Sequence, residues 1–245
     1  MSTFKVSGIA LRGLDIREAD RIVTFITIDG KLEGIAKGIR RPKSKFGGRL
    51  EPGNDLDLVL VRGRGLPTIT GVEVKRLRPW IRQDLASLEV TFNIMEMADK
   101  FSAEELEDGR LLKITAAALD RLEDEDRPAL LRLAYDIKVL AVSGLMPQLS
   151  ECVVCAAPAS ERFSVADGGL VCTSCGADGR MLQVGPEVIA LLVEALGKRF
   201  SELSEVEAGE REIAAADELI WAHIAYHVPA RFRSRGIGGE KGISI

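Results

Sequence analysis

All four cysteines of the chain lie in two Cys-x-x-Cys pairs, Cys152 with Cys155 and Cys172 with Cys175, and 16 residues separate the pairs. A tight turn brings both thiolates of such a pair onto one ion, and two pairs complete a tetrahedral site. Because the protein fills all four positions, no coordination position remains for a catalytic water. The pattern therefore predicts a structural zinc ion that holds a small module together.

Spacing alone leaves other uses of the cysteines open. An iron–sulfur cluster also takes four cysteines. A redox dithiol needs only one Cys-x-x-Cys pair and would leave the second unexplained, whereas a secreted disulfide scaffold normally carries more cysteines in a shorter chain behind a signal peptide. The first residues lack an apolar signal segment, and no stretch approaches the roughly 20 apolar residues of a membrane span. We therefore expect a cytoplasmic protein without a membrane partner.

The charge of the chain is unevenly distributed. The net charge is −4, yet residues 1–82 contain 17 Lys and Arg against 9 Asp and Glu, which is a net +8. The remaining residues contain 16 basic and 28 acidic side chains, which is a net −12. A basic first third on an acidic body predicts that this third meets a polyanion.

Residues 1–82 contain five β-strand patterns and are predicted to form a nucleic-acid-binding domain. An Asp29-Gly30 dipeptide follows the second pattern and predicts a two-residue hairpin turn with positive φ at both positions. Five short strands with a basic surface fit an OB-fold barrel, and an SH3-like barrel would give much the same pattern. The predicted strands span residues 4–11, 21–28, 31–36, 55–61 and 68–77.

From residue 84 onward the apolar residues recur at helical spacing. A bundle of antiparallel helices is expected in residues 83–245, with the zinc ribbon or knuckle inserted at about residues 150–180. The predicted fold class is therefore α+β, an OB-fold barrel followed by a helical domain. Three predicted helices span residues 109–122, 128–144 and 213–227. Two more are predicted to begin at residues 84 and 186.

A basic loop follows the third predicted strand. Residues 36–49 carry six cations and no acid, and their Pro, Ser and Gly content indicates a loop. Such a loop on the rim of a barrel matches a phosphate-contact surface, while a merely solvated loop is the alternative. Few aromatic side chains are near (Phe4, Phe25, Phe46 and Trp80), so we expect electrostatic binding with little sequence preference. The six cations are Lys37, Arg40, Arg41, Lys43, Lys45 and Arg49.

Catalytic motifs are missing from the sequence. No phosphate-binding Gly-x-x-x-x-Gly-Lys-Ser/Thr motif is present. The two histidines, His223 and His227, stand four residues apart on a predicted helix, but the glutamate of a metalloprotease motif is missing. We expect a core or capping role for both histidines and no enzymatic activity.

Several short motifs follow one another in a defined order. They are Arg17-Glu18-Ala19-Asp20-Arg21-Ile22-Val23, Phe25-Ile26-Thr27 with Gly30, Ala36-Lys37-Gly38-Ile39-Arg40-Arg41 with Lys43-Ser44, Leu50-Glu51-Pro52, and the two cysteine pairs with Gly168-Gly169-Leu170-Val171 before the second. In this order they resemble the RecO family of bacterial DNA-repair and recombination mediators, over nearly the whole chain.

The resemblance implies a protein without catalytic activity that binds single- and double-stranded DNA and anneals complementary strands. It implies RecR as a partner, and joint action in helping RecA displace single-strand-binding protein from DNA, with the protein at the nucleoid when it acts. The six loop cations would contact DNA and the four cysteines would hold zinc. A zinc-ribbon RNA-binding or ribosome-associated factor is the alternative. Further DNA contacts implied by position are Arg231, Arg233 and Arg235.

Overall fold

The computed structural model describes residues 2–82, 84–102, 109–175 and 181–234, with the backbone alone at residues 80 and 82. The chain divides into two compact units. The first comprises the residues up to Asp124 together with the segment from Phe232, and the second comprises Glu125–Arg231. Within the described ranges, no helix is both long enough and apolar enough to cross a membrane.

The first unit contains a closed five-stranded barrel in the order β1-β2-β3-β5-β4. Neighbouring strands are antiparallel except β3 and β5, whose parallel pairing of Ile35 with Thr68 closes the barrel. This architecture confirms the OB-fold prediction and removes the SH3-like alternative. The strands are β1 (Thr3–Ile16), β2 (Asp20–Thr27), β3 (Gly30–Ala36), β4 (Asp55–Val61) and β5 (Thr68–Arg76).

The barrel interior follows from the alternation of apolar and polar residues along the strands. In β4, Leu56, Leu58 and Leu60 are buried while Asp55 and Asp57 are not. Burying one such leucine contributes about 1.5–3 kcal/mol, so these three side chains hold β4 in register. The whole buried cluster is Ala10, Val23, Phe25, Ala36, Phe46, Leu50, Leu56, Leu58, Leu60 and Ile69.

The β2–β3 hairpin is present, but its turn lies one residue earlier than predicted. Thr27 pairs with Gly30, so Ile28 and Asp29 form the turn. Of the predicted turn residues Asp29 and Gly30, only Gly30 has a positive φ, of 99°. The Thr27 hydroxyl accepts from Asp29 N at 3.2 Å and donates to Gly30 O at 2.9 Å. Glycine adopts positive φ without the steric penalty of an L side chain, so this turn needs no strained Asp29.

Two helices, α1 (Leu85–Phe101) and α2 (Arg110–Arg121), complete the first unit. The Asp84 side chain caps α1 by accepting from Ser87 N at 2.9 Å. Asp99 on α1 receives Arg12 Nε at 3.0 Å and Lys31 Nζ at 3.0 Å from the barrel. These two helices therefore belong to the same compact unit as the barrel. The predicted domain boundary after residue 82 stays a prediction.

A buried arginine joins the barrel to α2. The Arg78 side chain is fully buried and donates to both carboxylate oxygens of Asp55, at 2.7 and 3.0 Å. It also donates to Asp120 Oδ1 at 2.7 Å and to Gly53 O at 2.6 Å. One guanidinium thereby satisfies a strand carboxylate, a helix carboxylate and a loop carbonyl, because its five N–H groups form a rigid fork.

The described part of the second unit contains three helices, which pack against one another, and a small sheet. Pro128 and Pro186 occupy the first turns of α3 and α4, where the missing N–H costs nothing. The sheet has the order β7-β6-β8 and lies between α3 and α4 in the chain, which confirms the inserted module. The elements are α3 (Pro128–Val142), β6 (Arg162–Ser164), β7 (Gly169–Val171), β8 (Met181–Gln183), α4 (Pro186–Gly197) and α5 (Glu210–His227).

A lysine ends α4. Lys138 Nζ on α3 donates to three carbonyl oxygens at the C-terminal end of α4. They are those of Ala195 at 2.9 Å, Leu196 at 2.5 Å and Lys198 at 2.8 Å. Helix C-termini leave such carbonyls without partners, and a cation there also complements the helix dipole. Burial lowers the pKa of Lys138 to about 8, so the side chain remains mostly charged at neutral pH.

Candidate nucleic-acid interface and metal centre

The four cysteine sulfurs form one cluster. All four Sγ atoms lie within 4.8 Å of one another, and Cys155 and Cys172 are 3.8 Å apart. A tetrahedral ion with bonds of about 2.3 Å to sulfur places its ligands about 3.8 Å apart. The cluster therefore has the size of a four-thiolate metal site, and the four cysteines are positioned to hold a metal ion.

Local backbone geometry builds each half of the cluster. In the first half, Ala156 takes a φ of 57° and donates its N–H to Cys152 O at 2.8 Å, which closes the tight turn. In the second half, Cys175 N donates to Cys172 Sγ at 3.4 Å. Cys152 and Cys172 are buried, so the cluster is packed into the module on one side.

The thiols differ in acidity because their hydrogen bonds differ. A hydrogen bond from the Cys172 backbone, with others from Cys155 and Val154, lowers the pKa of Cys152 to about 6. Hydrogen bonds with Cys155 and Cys172 raise the pKa of Cys175 to about 12. Four thiolates this close repel one another, and a divalent cation relieves that repulsion and releases the remaining protons. The donor set thus fits a zinc ion.

The two histidines do not belong to this cluster. His223 Nε2 lies 2.8 Å from Leu145 O, and His227 Nε2 lies 2.8 Å from Val165 O. The two rings are 4.5 Å apart between centroids, and His223 is buried. Each imidazole fastens α5 to a neighbouring loop through a carbonyl, which is the structural role expected of these residues.

The basic loop leaves the barrel after β3, and two apolar side chains anchor it. Phe46 and Leu50 each expose 2% of their surface and belong to the barrel core. The Phe46 ring is therefore not available to stack on a base. All six cations of the loop are exposed to solvent.

Two of the six cations have partners in the protein. Lys45 Nζ donates to Thr70 O at 2.8 Å, and Arg40 Nε lies 3.6 Å from Asp15 Oδ2. A hydrogen bond from Arg21 lowers the pKa of Asp15, so this carboxylate stays ionised beside Arg40. The charged side chains of the other four form no ion pair or hydrogen bond with any group that the structure describes: Lys37, Arg41, Lys43 and Arg49.

Two neighbouring loops bring further cations that sequence reasoning did not single out. Arg40 N donates to Ala19 O in the β1–β2 turn at 3.2 Å, and Ile35 N donates to Pro67 O in the β4–β5 loop at 2.8 Å. OB-folds bind nucleic acids with these two loops, which is the signal that could have found them. The cations that they carry, all exposed, are Arg17, Arg62 and Arg64.

The C-terminal cations are distributed over the two units. Arg231 ends the second unit, whereas Arg233 belongs to the first. Glu96 on α1 accepts from Arg233 N with both oxygens at 2.9 Å and from Ser234 N at 2.8 Å, so the backbone of this segment is held while the Arg233 side chain is exposed. Arg235 lies outside the described residues. Contact between these cations and DNA stays a prediction, as it does for the loop.

Comparison with known proteins assigns the chain to a family. The family models described as Recombination protein O N terminal and C terminal match residues 1–78 and 82–236. The protein named DNA repair protein RecO of Bifidobacterium longum subsp. infantis is 38% identical over 178 residues, which covers 70% of this chain and 74% of the relative. Proteins of the same name from Streptomyces griseus subsp. griseus and Streptomyces coelicolor are each 32% identical over 247 residues, covering 96% of this chain and 98% of the relative. The chain therefore belongs to the RecO family of DNA repair proteins.

Proposed function

We propose that this protein is a DNA-binding recombination mediator that holds single- and double-stranded DNA at one end of its barrel. It anneals complementary strands and, with RecR, helps load RecA onto DNA coated by single-strand-binding protein. It catalyses no bond-making step. The observation that carries the proposal is the group of four exposed cations on one loop, none of which is neutralised by a described protein group.

The physical demand of annealing fits this surface. Two strands approach only when phosphate repulsion is neutralised, and their bases must stay free to pair. Nearby aromatic rings offer little stacking surface, since Phe25 and Phe46 are buried and the Arg62 guanidinium lies 5.1 Å above the Phe4 ring. Phosphate contacts therefore dominate over base contacts, and affinity depends on salt more than on sequence.

We infer that the ion held by the four cysteines is zinc and that its role is structural. Four protein ligands leave no open position for chemistry, and the site lies in a three-stranded module rather than at the barrel loops. Metal analysis of protein purified without added metal tests this inference. About one zinc per chain supports it, whereas iron with labile sulfide would replace it by a cluster.

Charge-neutral variants of the basic loop test the DNA proposal. The variant Lys37→Gln with Arg41→Gln should weaken binding of single-stranded DNA and slow strand annealing without ATP. Loss of two phosphate contacts should lower the slope of log affinity against log salt by about 1.4, which is roughly 0.7 per contact. A preference for RNA over DNA of equal length would instead favour an RNA-binding factor.

A matched control exists at the other end of the barrel. Lys100 is exposed, and the preceding residue, Asp99, forms an ion pair with Lys31. Lys31 lies at the start of β3, whereas the basic loop follows the end of β3. Lys113 is exposed on α2. Lys100→Gln with Lys113→Gln removes the same charge, and an equal loss of affinity would refute our placement of the surface.

Mediator activity needs a separate assay. RecA assembly on single-stranded DNA coated by single-strand-binding protein is followed with RecR present, with the wild type and with the loop variant. We expect the wild type to shorten the lag and the loop variant to lose most of this effect. A loop variant with full activity would show that loading does not depend on the DNA surface proposed here.

A further inference from the structure

An acidic residue holds the start of the basic loop. Gly38 N donates to Asp20 Oδ1 at 2.8 Å, and Arg40 N donates to the neighbouring Ala19 O at 3.2 Å. The backbone ladder between β2 and β3 ends with the pairing of Arg21 and Ala36. The Asp20 carboxylate therefore supplies the next acceptor after β3 has ended, and it extends the order of the barrel into the loop.

The tethered amide lies between two of the unneutralised cations. Gly38 has a φ of 69°, a conformation that glycine adopts without strain. Arg41 N donates to Gly38 O at 3.1 Å and closes a turn, and a Cβ at position 38 would lie 3.5 Å from Arg41 Cδ. Lys37 precedes the tethered residue directly. The direction in which Lys37 and Arg41 project thus depends on where Asp20 holds Gly38.

We propose that Asp20 is a positioning residue of the DNA-binding surface, whose carboxylate oxygen holds the Gly38 amide and thereby presents Lys37 and Arg41 to phosphate. This inference rests on the proposed DNA-binding function. The charge of Asp20 repels DNA, whereas its hydrogen bond favours binding, so the two effects have opposite signs. Asp20→Asn keeps the oxygen acceptor and removes the charge, and Asp20→Ala removes both.

The two variants carry the same net charge, so a difference in affinity between them does not come from the charge of residue 20. Asp20→Asn should bind a single-stranded oligonucleotide as tightly as the wild type or a few times more tightly. A hydrogen bond to an amide shifts a local equilibrium by roughly tenfold, so Asp20→Ala should bind about five- to tenfold more weakly than Asp20→Asn. Pure electrostatics predicts equal affinity for both variants, each tighter than the wild type.

A double-mutant cycle separates positioning from a general loss of structure. When Lys37 and Arg41 are both replaced by Gln, neither of the two cations that Asp20 positions remains. The ratio of DNA affinities between the Asn and Ala variants should then shrink to less than about twofold. An unchanged affinity ratio would mean that Asp20 acts on the fold as a whole, which overturns the proposal.

Asp29 provides the matched control, because it stands in the turn after the other end of β2, is exposed, and has a side chain that bonds to no group the structure describes. Asp29→Asn and Asp29→Ala should have equal affinity. Binding is measured by fluorescence anisotropy with the full chain, and the amide resonance of Gly38 reports the tether without DNA.

The outcomes distinguish the positioning role of Asp20 from the proposed DNA-binding function. Weaker binding by Asp20→Ala than by Asp20→Asn, with the Gly38 amide shifted in the Ala variant alone, supports the positioning role. Equal affinity of the two variants in a protein that binds DNA overturns this inference and leaves the proposed function intact. No DNA binding by the wild type at low salt overturns the proposed function and this inference with it.

Discussion

Arg78 offers the sharpest test of how the barrel is joined to its helices. Its fully buried guanidinium donates to Asp55, Asp120 and Gly53 O, with four of these contacts between 2.6 and 2.7 Å. Arg78→Met keeps most of the side-chain volume but removes every donor. Asp55 and Asp120 would then lose the cation that they share, while Arg76 remains beside Asp120, and the Gly53 carbonyl would lose this donor.

The expected magnitude follows from burial. Removing one member of a buried, hydrogen-bonded ion cluster costs about 3–5 kcal/mol. The carboxylates of Asp55 and Asp120 expose 29% and 33% of their side chains, so water can solvate them partly after the change. We therefore expect the lower end, a loss of about 3 kcal/mol in the free energy of unfolding of the first unit. Arg78→Lys should recover only part of this, because an ammonium group cannot form the fork.

The assay must report on the first unit alone, because two compact units need not unfold together. Hydrogen exchange of β4 peptides in increasing denaturant gives the free energy of opening of the barrel. Arg76, whose side chain is 47% exposed and whose Nε contacts Asp120 Oδ1 at 3.0 Å, is the control. Arg76→Met should cost less than about 1 kcal/mol. If Arg78→Met costs no more than Arg76→Met, the reasoning from burial is refuted.

Three further predictions concern the second unit. Cys152→Ser should abolish stoichiometric metal and expose β6 and β7 to hydrogen exchange while α3 stays protected, and retained metal would contradict the four-sulfur site. Burial lowers the pKa of His223 below its usual value. The contribution of His223 to stability should therefore be complete above about pH 6.5 and be lost as the pH drops through the lowered pKa. In thermal melts, the stability of His223→Gln should depend less on acid pH than that of the wild type. Lys138→Met removes the donor to the carbonyls of Ala195, Leu196 and Lys198 at the end of α4, and it should lower the free energy of unfolding by about 1–3 kcal/mol in chemical denaturation. An unchanged midpoint would show that water replaces the cap.

Much of the fold was predictable because its determinants are local. Alternating Asp and Leu predict β4 to the residue, and the first-turn prolines Pro128 and Pro186 mark where α3 and α4 begin. The metal cluster was predictable for the same reason, since a Cys-x-x-Cys turn brings two sulfurs together whatever the rest of the chain does. The Asp29-Gly30 turn was placed one residue too late, because the Thr27 hydroxyl completes a tighter arrangement in which glycine alone has positive φ.

The sequence by itself determined the elements, the cysteine site and the presence of a basic loop, because each depends on residues close together in the chain. Tertiary structure decided which cations are free. Arg40 and Lys45 are taken up by Asp15 and Thr70, residues 25 positions away in each case. The parallel pairing of β3 with β5 brings the β4–β5 loop to the basic loop. Such contacts depend on how distant strands meet in three dimensions, and no local pattern of side chains encodes that meeting.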